Sequence, residues 1–88
     1  MGGKRSDIEI SAAILQVARN GAKKFHIVYK ANLNFEILRK YLGRLINSGL
    51  IRGSNGESRF FWTTDKGIEY IKHFEDLNHF VNLQNVAS

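Results

Sequence analysis

The sequence predicts a mainly α domain with a small β-hairpin, its elements running helix, helix, helix, hairpin, long helix. Three observations predict it. Apolar residues recur at helical spacing through four segments. Helix-capping residues, Ser6 and Asn34, stand just ahead of two of those segments. An Asn-Gly pair, Asn55-Gly56, separates two short runs that alternate as strands do.

Met1 to Arg5 reads as a short, flexible basic arm. Ser6-Asp-Ile-Glu9 forms a capping box, with Ser6 as N-cap and Glu9 three residues on. The first helix then runs to about Arg19 and buries Ile10, Ile14, Val17 and Ala18. Asn20-Gly21 ends it, because glycine accepts the left-handed conformation that closes a helix. Ala22 to Lys24 is a brief extended stretch. The second helix is short, about Phe25 to Ala31, with Ile27, Val28 and Ala31 facing inward. Asn32-Leu33 makes the turn, and Asn34 caps the third helix.

On the third helix Leu38, Tyr41, Leu42, Leu45 and Ile46 form one apolar stripe. At about 100° per residue, Glu36, Arg39, Lys40, Gly43, Arg44 and Asn47 fall on the opposite arc. Gly49 closes this helix. Leu50 to Arg52 and Ser58 to Thr63 read as two strands joined by Gly53-Ser-Asn-Gly56. Thr63 or Thr64 caps the fourth helix, which runs to about Leu83 and leaves five fraying residues. This order is that of a winged helix-turn-helix with a long C-terminal dimerisation helix. The expected organisation is an arm at 1–5, a winged-helix domain at 6–67, and a dimerisation helix and tail at 68–88.

The net charge is +5, and it is unevenly placed. Eleven of the 13 lysines and arginines lie in residues 1–62, which carry a net +7, whereas residues 63–88 carry −2. A positive field concentrated on the helix-turn-helix favours a polyanionic partner through counterion release and steering. A buried stripe backed by cations suits a helix that lies in a DNA groove. Arg39 can contact guanine with both arms of its guanidinium, and Lys40 suits a phosphate. Arg44, one turn on, reaches backbone. Asn34 caps or contacts DNA, Phe35 begins the same helix and is expected at the DNA with it, and Glu36 accepts from cytosine or tunes specificity by repulsion. Gly43 allows close approach of the helix backbone to a partner.

The hairpin carries Arg52 and Arg59 on its two strands. Alternation sends Phe61 to the side opposite Phe60 and Trp62. The fourth helix bears Tyr70, Phe74, Leu77 and Val81 in a 4-3-4 pattern, with Ile68, Ile71 and Phe80 beside them. Phe74 to Val81 lie about 9–20 Å beyond Ile68 along the helix axis. One small domain covers such a stretch poorly, so a helix-to-helix seam with a second copy is expected.

Other classes find no support. The chain has no cysteine, no run of 18 apolar residues, and no signal-peptide apolar core in its first ten residues. A cytoplasmic, nucleoid-associated protein is expected. His73 and His79 are six apart with Asp76 between them, which is not metal-ligand spacing. Neither Gly2-Gly3 nor Gly53 to Gly56 has the Lys-Ser/Thr ending of a phosphate loop. No catalytic constellation, cofactor motif or small-molecule site is evident, so no enzyme is expected.

The stretch Ala22-Lys-Lys-Phe-His-Ile-Val-Tyr-Lys-Ala-Asn-Leu-Asn-Phe35, followed by Leu38, Tyr41-Leu42, Gly49-Leu-Ile51 and Thr63-Thr-Asp-Lys-Gly67, resembles small archaeal winged-helix DNA-binding proteins. The likeness covers about residues 6–80. It implies a homodimer joined by an antiparallel coiled coil of the last helices. It also implies binding to double-stranded DNA, as a transcriptional regulator or a chromatin-like protein. Carried over residue by residue, it puts Tyr29, Lys30, Asn34, Arg39 and Lys40 near DNA, and Leu38, Leu42, Leu45 and Phe61 in the core.

The leading expectation is therefore a homodimer that binds duplex DNA through a recognition helix at 34–48 and a basic wing at 50–63. A winged-helix module for protein–protein contact, anchored by Phe35, Trp62 and Phe80, is the alternative. Single-strand or RNA binding through the wing aromatics is a third.

Overall fold

The computed structural model describes residues 5–53 and 60–87, the last seven as backbone helix. Among these residues four helices and three short strands follow in the order α1 (Asp7–Val17), β1 (Ala22–Lys23), α2 (Lys24–Ala31), α3 (Phe35–Asn47), β2 (Ile51–Gly53), β3 (Phe60–Thr63) and α4 (Asp65–Ala87). The predicted helices all form. The hairpin gains a third strand, because the extended stretch at Ala22–Lys23 pairs antiparallel with β3. The sheet order is β1-β3-β2, with Ala22 opposite Phe61 and Arg52 opposite Trp62. The hairpin tip and Arg59 lie outside the described residues.

Local chemistry explains most of the boundaries. At the start of α1 the Ser6 hydroxyl accepts from the Glu9 amide at 3.1 Å, and the Glu9 carboxylate accepts from the Ser6 amide at 2.9 Å. Asn34 caps α3 by accepting from the Ile37 amide at 2.8 Å. Gly21 (φ 93°) and Gly49 (φ 76°) supply the left-handed turns after α1 and α3. By contrast α2 begins at Lys23 without a side-chain cap and ends at Asn32, itself left-handed at φ 58°. The helix ends there with outside help: the Arg5 guanidinium donates to the carbonyls of Ala31 at 2.8 Å and Asn32 at 3.2 Å. Arg5, which the sequence places in the arm, thus touches the helix-turn-helix.

The core draws on every element. Ile14, Leu15, Ile27, Leu38, Ile51 and Ile71 are fully buried around the α1–α2–α3 junction and the inner face of the sheet. Leu15 replaces Ile10 and Val17 at the centre of the α1 contribution, those two being only partly covered. Ile46, expected in the apolar stripe of α3, is 43% exposed. It lies roughly 80° around the helix from Leu38, at the edge of the arc that the other helices cover.

A knot of polar contacts ties the wing to the helices. The Thr63 amide and hydroxyl donate to the Ala18 and Leu15 carbonyls, at 3.0 and 2.6 Å, filling acceptors left open at the end of α1. The Thr64 amide donates to the Leu50 carbonyl at 3.0 Å. Its hydroxyl donates to Gly49 at 2.7 Å while accepting from the Gly67 amide at 3.1 Å, so Thr64 is the residue that caps α4. Lys66 adds a bond to the Ser48 carbonyl at 3.0 Å. Thr63, Thr64, Lys66 and Gly67 together lock the ends of α1 and α3 to the start of α4.

Beyond the domain α4 runs on to Ala87, four residues past the predicted end. It is covered only near its start: Gly67 and Ile71 are buried and Phe74 half-buried, whereas Leu77 and Phe80 are 58% and 57% exposed. The radius of gyration, 13.9 Å, exceeds the roughly 12 Å of a compact domain of this length because this helix projects from the core.

Candidate nucleic-acid interface

Burial divides α3 cleanly. Leu38, Tyr41, Leu42 and Leu45 face the core, Ile37 and Ile46 stand exposed at the edges of that face, and Phe35, Glu36, Arg39, Lys40, Gly43, Arg44 and Asn47 lie in solvent. Phe35, Arg39, Gly43 and Asn47 follow one another at four-residue steps, so they form a single stripe along the helix. On α2 the predicted Tyr29 and Lys30 are also exposed, Tyr29 at 77%. Phe25, which sequence reasoning left without a role, is 71% exposed and stacks on Phe35 with ring centroids 6.3 Å apart. The signal for it lies in spacing. Phe25 and Tyr29 are four apart, on the side of α2 away from the equally spaced Ile27 and Ala31.

The cations differ in their freedom. Arg39 and Lys40 stand exposed on the outward arc. Arg44 leans back onto α1, 3.7 Å from the Asp7 carboxylate, and lies over the Tyr41 ring at 5.1 Å. The Tyr41 hydroxyl donates to the same carboxylate. That hydrogen bond, with desolvation and the Asp7 charge behind it, raises the phenol above its ordinary pKa against the opposing pull of Arg44. Tyr41 therefore keeps its proton at neutral pH and serves as a structural donor. The Arg44–Asp7 pair is more than half exposed, so it is weak, and Arg44 can exchange Asp7 for a phosphate. Asn34 has its side-chain oxygen committed to the Ile37 amide, so capping is the role the geometry displays.

On the outer face of the sheet Arg52 lies over Trp62 at 5.3 Å, and Lys23 over Phe60 at 5.9 Å. Phe60 and Trp62 pack at 5.5 Å on this face, while Phe61 turns inward to the core, as alternation predicts. The aromatics thus hold two cations beside the wing.

A Cβ added to Gly43 would meet nothing within 4 Å, so the position is open inside this chain. Gly43→Ala should raise the unfolding free energy by about 1 kcal/mol through helix propensity alone. Urea unfolding at a fixed protein concentration checks this, and a loss of stability would contradict the exposed geometry.

A second surface joins α1 to the uncovered stretch of α4. Tyr70, His73, Phe74 and Leu77 line a hollow with Ile8, which is itself 51% exposed. Ile8 is absent from the sequence-based expectation. It continues the line of Ala12 and Leu15 at helical spacing to where the core ends. Phe80 lies further along, and Val81 belongs to the part of α4 described as backbone only.

A three-helix core, a helix-turn-helix and a small sheet feeding a long final helix define a winged-helix domain. The family model described as winged helix-turn-helix matches residues 4–82, and the chain belongs to that family. No curated protein sequence matches it. Among solved structures it resembles Sso10a-2, a DNA-binding protein from Sulfolobus solfataricus, at 24% identity and a TM-score of 0.85 over 94% of this chain and 88% of that one. MepR, a transcription regulator of Staphylococcus aureus, aligns at 15% identity and a TM-score of 0.74, over 90% of this chain and 62% of MepR. ZitR of Lactococcus lactis, solved in complex with DNA, aligns at 18% identity and a TM-score of 0.62, over 97% of this chain and 64% of ZitR. At these identities the likeness is one of fold. Among the described residues no helix is long and apolar enough to cross a membrane.

Proposed function

We propose that this chain is a homodimeric DNA-binding protein, a regulator or chromatin-like protein of the nucleoid. It sets α3 into the major groove of duplex DNA and steadies itself with the wing. The observation that carries this is the exposure of Arg39 and Lys40 on the outward arc of α3, while Leu38, Tyr41, Leu42 and Leu45 on its other face are buried in the core. Lys30 and Arg52 extend the positive surface to either side, on α2 and β2. The DNA-binding description of Sso10a-2 and the DNA complex of ZitR, both of this fold, support the same reading. Pairing of two copies along α4 would cover Leu77 and Phe80 together with the hollow at Ile8.

Titration against a random-sequence duplex at several salt concentrations, with the mass read by light scattering, tests both parts. Wild-type protein should bind as a species of about twice 10.0 kDa and weaken steeply as salt rises. Arg39→Ala with Lys40→Ala should weaken binding by at least tenfold and lower the salt slope by roughly 1 for the lost Lys40 phosphate contact, the Arg39 base contact accounting for the rest of the affinity. Unchanged affinity and slope in the double variant would rule out this face. A monomer in complex would rule out the α4 seam.

A further inference from the structure

The Phe25–Tyr29–Phe35 cluster puts three aromatic rings in solvent beside the cationic face of the helix-turn-helix. Its three rings are 71%, 77% and 45% exposed, and two of them stack at 6.3 Å. Phe25 and Tyr29, with His26 and Lys30, line a hollow on α2. Such a group of exposed rings marks a contact surface rather than a fragment of core.

Its surroundings indicate the partner. Lys30 lines the same hollow on α2, Arg39 follows Phe35 one turn along α3, and Glu36 is the one acid between Lys24 and Lys40. An apolar patch bordered by cations suits a polyanion that carries an apolar group of its own. In the major groove of DNA that group is the 5-methyl of thymine. Phe35 and Arg39 share one stripe of α3, about 6 Å apart along the helix axis, which is close to two base-pair steps. Through its stack on Phe35, Phe25 extends the apolar strip onto α2.

We infer that Phe25, Tyr29 and Phe35 form an apolar reader of thymine methyl groups, which gives the protein a preference for thymines beside the base contacted by Arg39. This assignment rests on duplex binding through α3 and adds a specificity determinant to it. Arg39 and Lys40 supply charge, whereas the rings supply a contribution that salt does not screen.

The experiment compares an A·T-rich duplex containing a few G·C pairs with the same duplex carrying deoxyuridine in place of thymidine, at one salt concentration. Wild-type protein should bind the thymine duplex more tightly, by about fourfold for each methyl covered. Phe25→Ala with Phe35→Ala should bring the two dissociation constants together and leave the salt slope unchanged, since no charge is removed. Both rings are exposed, so this variant should keep its helical circular dichroism and melting temperature. Phe35→Leu should restore part of the preference. Arg39→Ala with Lys40→Ala should do the opposite, lowering the slope and keeping the preference. Equal wild-type affinity for both duplexes, with steep salt dependence intact, would overturn the thymine reader and leave duplex binding standing. Tighter binding to a single strand, or no duplex binding, would overturn both.

Discussion

Gly67→Ala should cost about 3 kcal/mol of unfolding free energy or more. The added Cβ would run into the Leu50 carbonyl oxygen and stand 2.5 Å from the Thr63 methyl carbon. Neither neighbour is free to withdraw. The Leu50 carbonyl accepts the Thr64 amide, and Thr63 is held to the end of α1 by two hydrogen bonds. Relief therefore requires α4 to move off the α3–β2 junction, which would uncover Ile71, now 2% exposed. Urea unfolding against wild type at one protein concentration measures the effect. A loss below about 1 kcal/mol would show that the start of α4 yields more readily than its hydrogen bonds indicate. The contrast with Gly43 is instructive: two helical glycines, one packed against backbone and one facing open solvent, have opposite expected signs.

Leu38→Ala should cost about 2–5 kcal/mol, because it removes a fully buried side chain and leaves a cavity that the neighbouring helices fill only in part. An 88-residue domain has roughly 4–13 kcal/mol of total stability, so this is a large fraction of it. The consequence for function is indirect. Leu38 lies between Phe35 and Lys40 in sequence, on the inward side of α3, and fixes how the outward stripe is presented. Hydrogen exchange of the α3 amides should speed up more than that of the β3 amides in the same variant. Equal acceleration throughout would mean that Leu38 supports the whole fold rather than the pose of α3.

Much of the fold was legible in the sequence wherever the deciding interaction spans three or four residues. The capping box of Ser6 and Glu9, the Asn34 cap and the closing Gly49 are local devices that hold in any context allowing a helix. The stripe of Leu38, Tyr41, Leu42 and Leu45 is legible for the same reason, since helical geometry alone places those residues on one face. The exposed arc with Arg39 and Lys40 follows as its complement. The motif Thr63-Thr-Asp-Lys-Gly67 is visible as a family likeness, but spacing alone does not disclose what its residues hold.

Matters that depend on which distant segments meet were fixed by the packing of the whole fold. Ala22 and Lys23 become a strand because β3 offers an edge far along the chain. Thr63 meets the Leu15 carbonyl 48 residues away, and Arg5 meets Ala31 across 26. Ile46 is turned outward by the limited width of what α1 and α2 can cover, and Arg44 is drawn to Asp7 by the crossing of two helices. The pairing of Phe25 with Phe35 depends on the angle between α2 and α3. Periodicity and capping are properties of a single element, so the helices, their faces and the sign of the exposed charge could be read from residue order alone. The partners of each face are chosen by packing among elements, and that choice was settled only when all of them were brought together around one core.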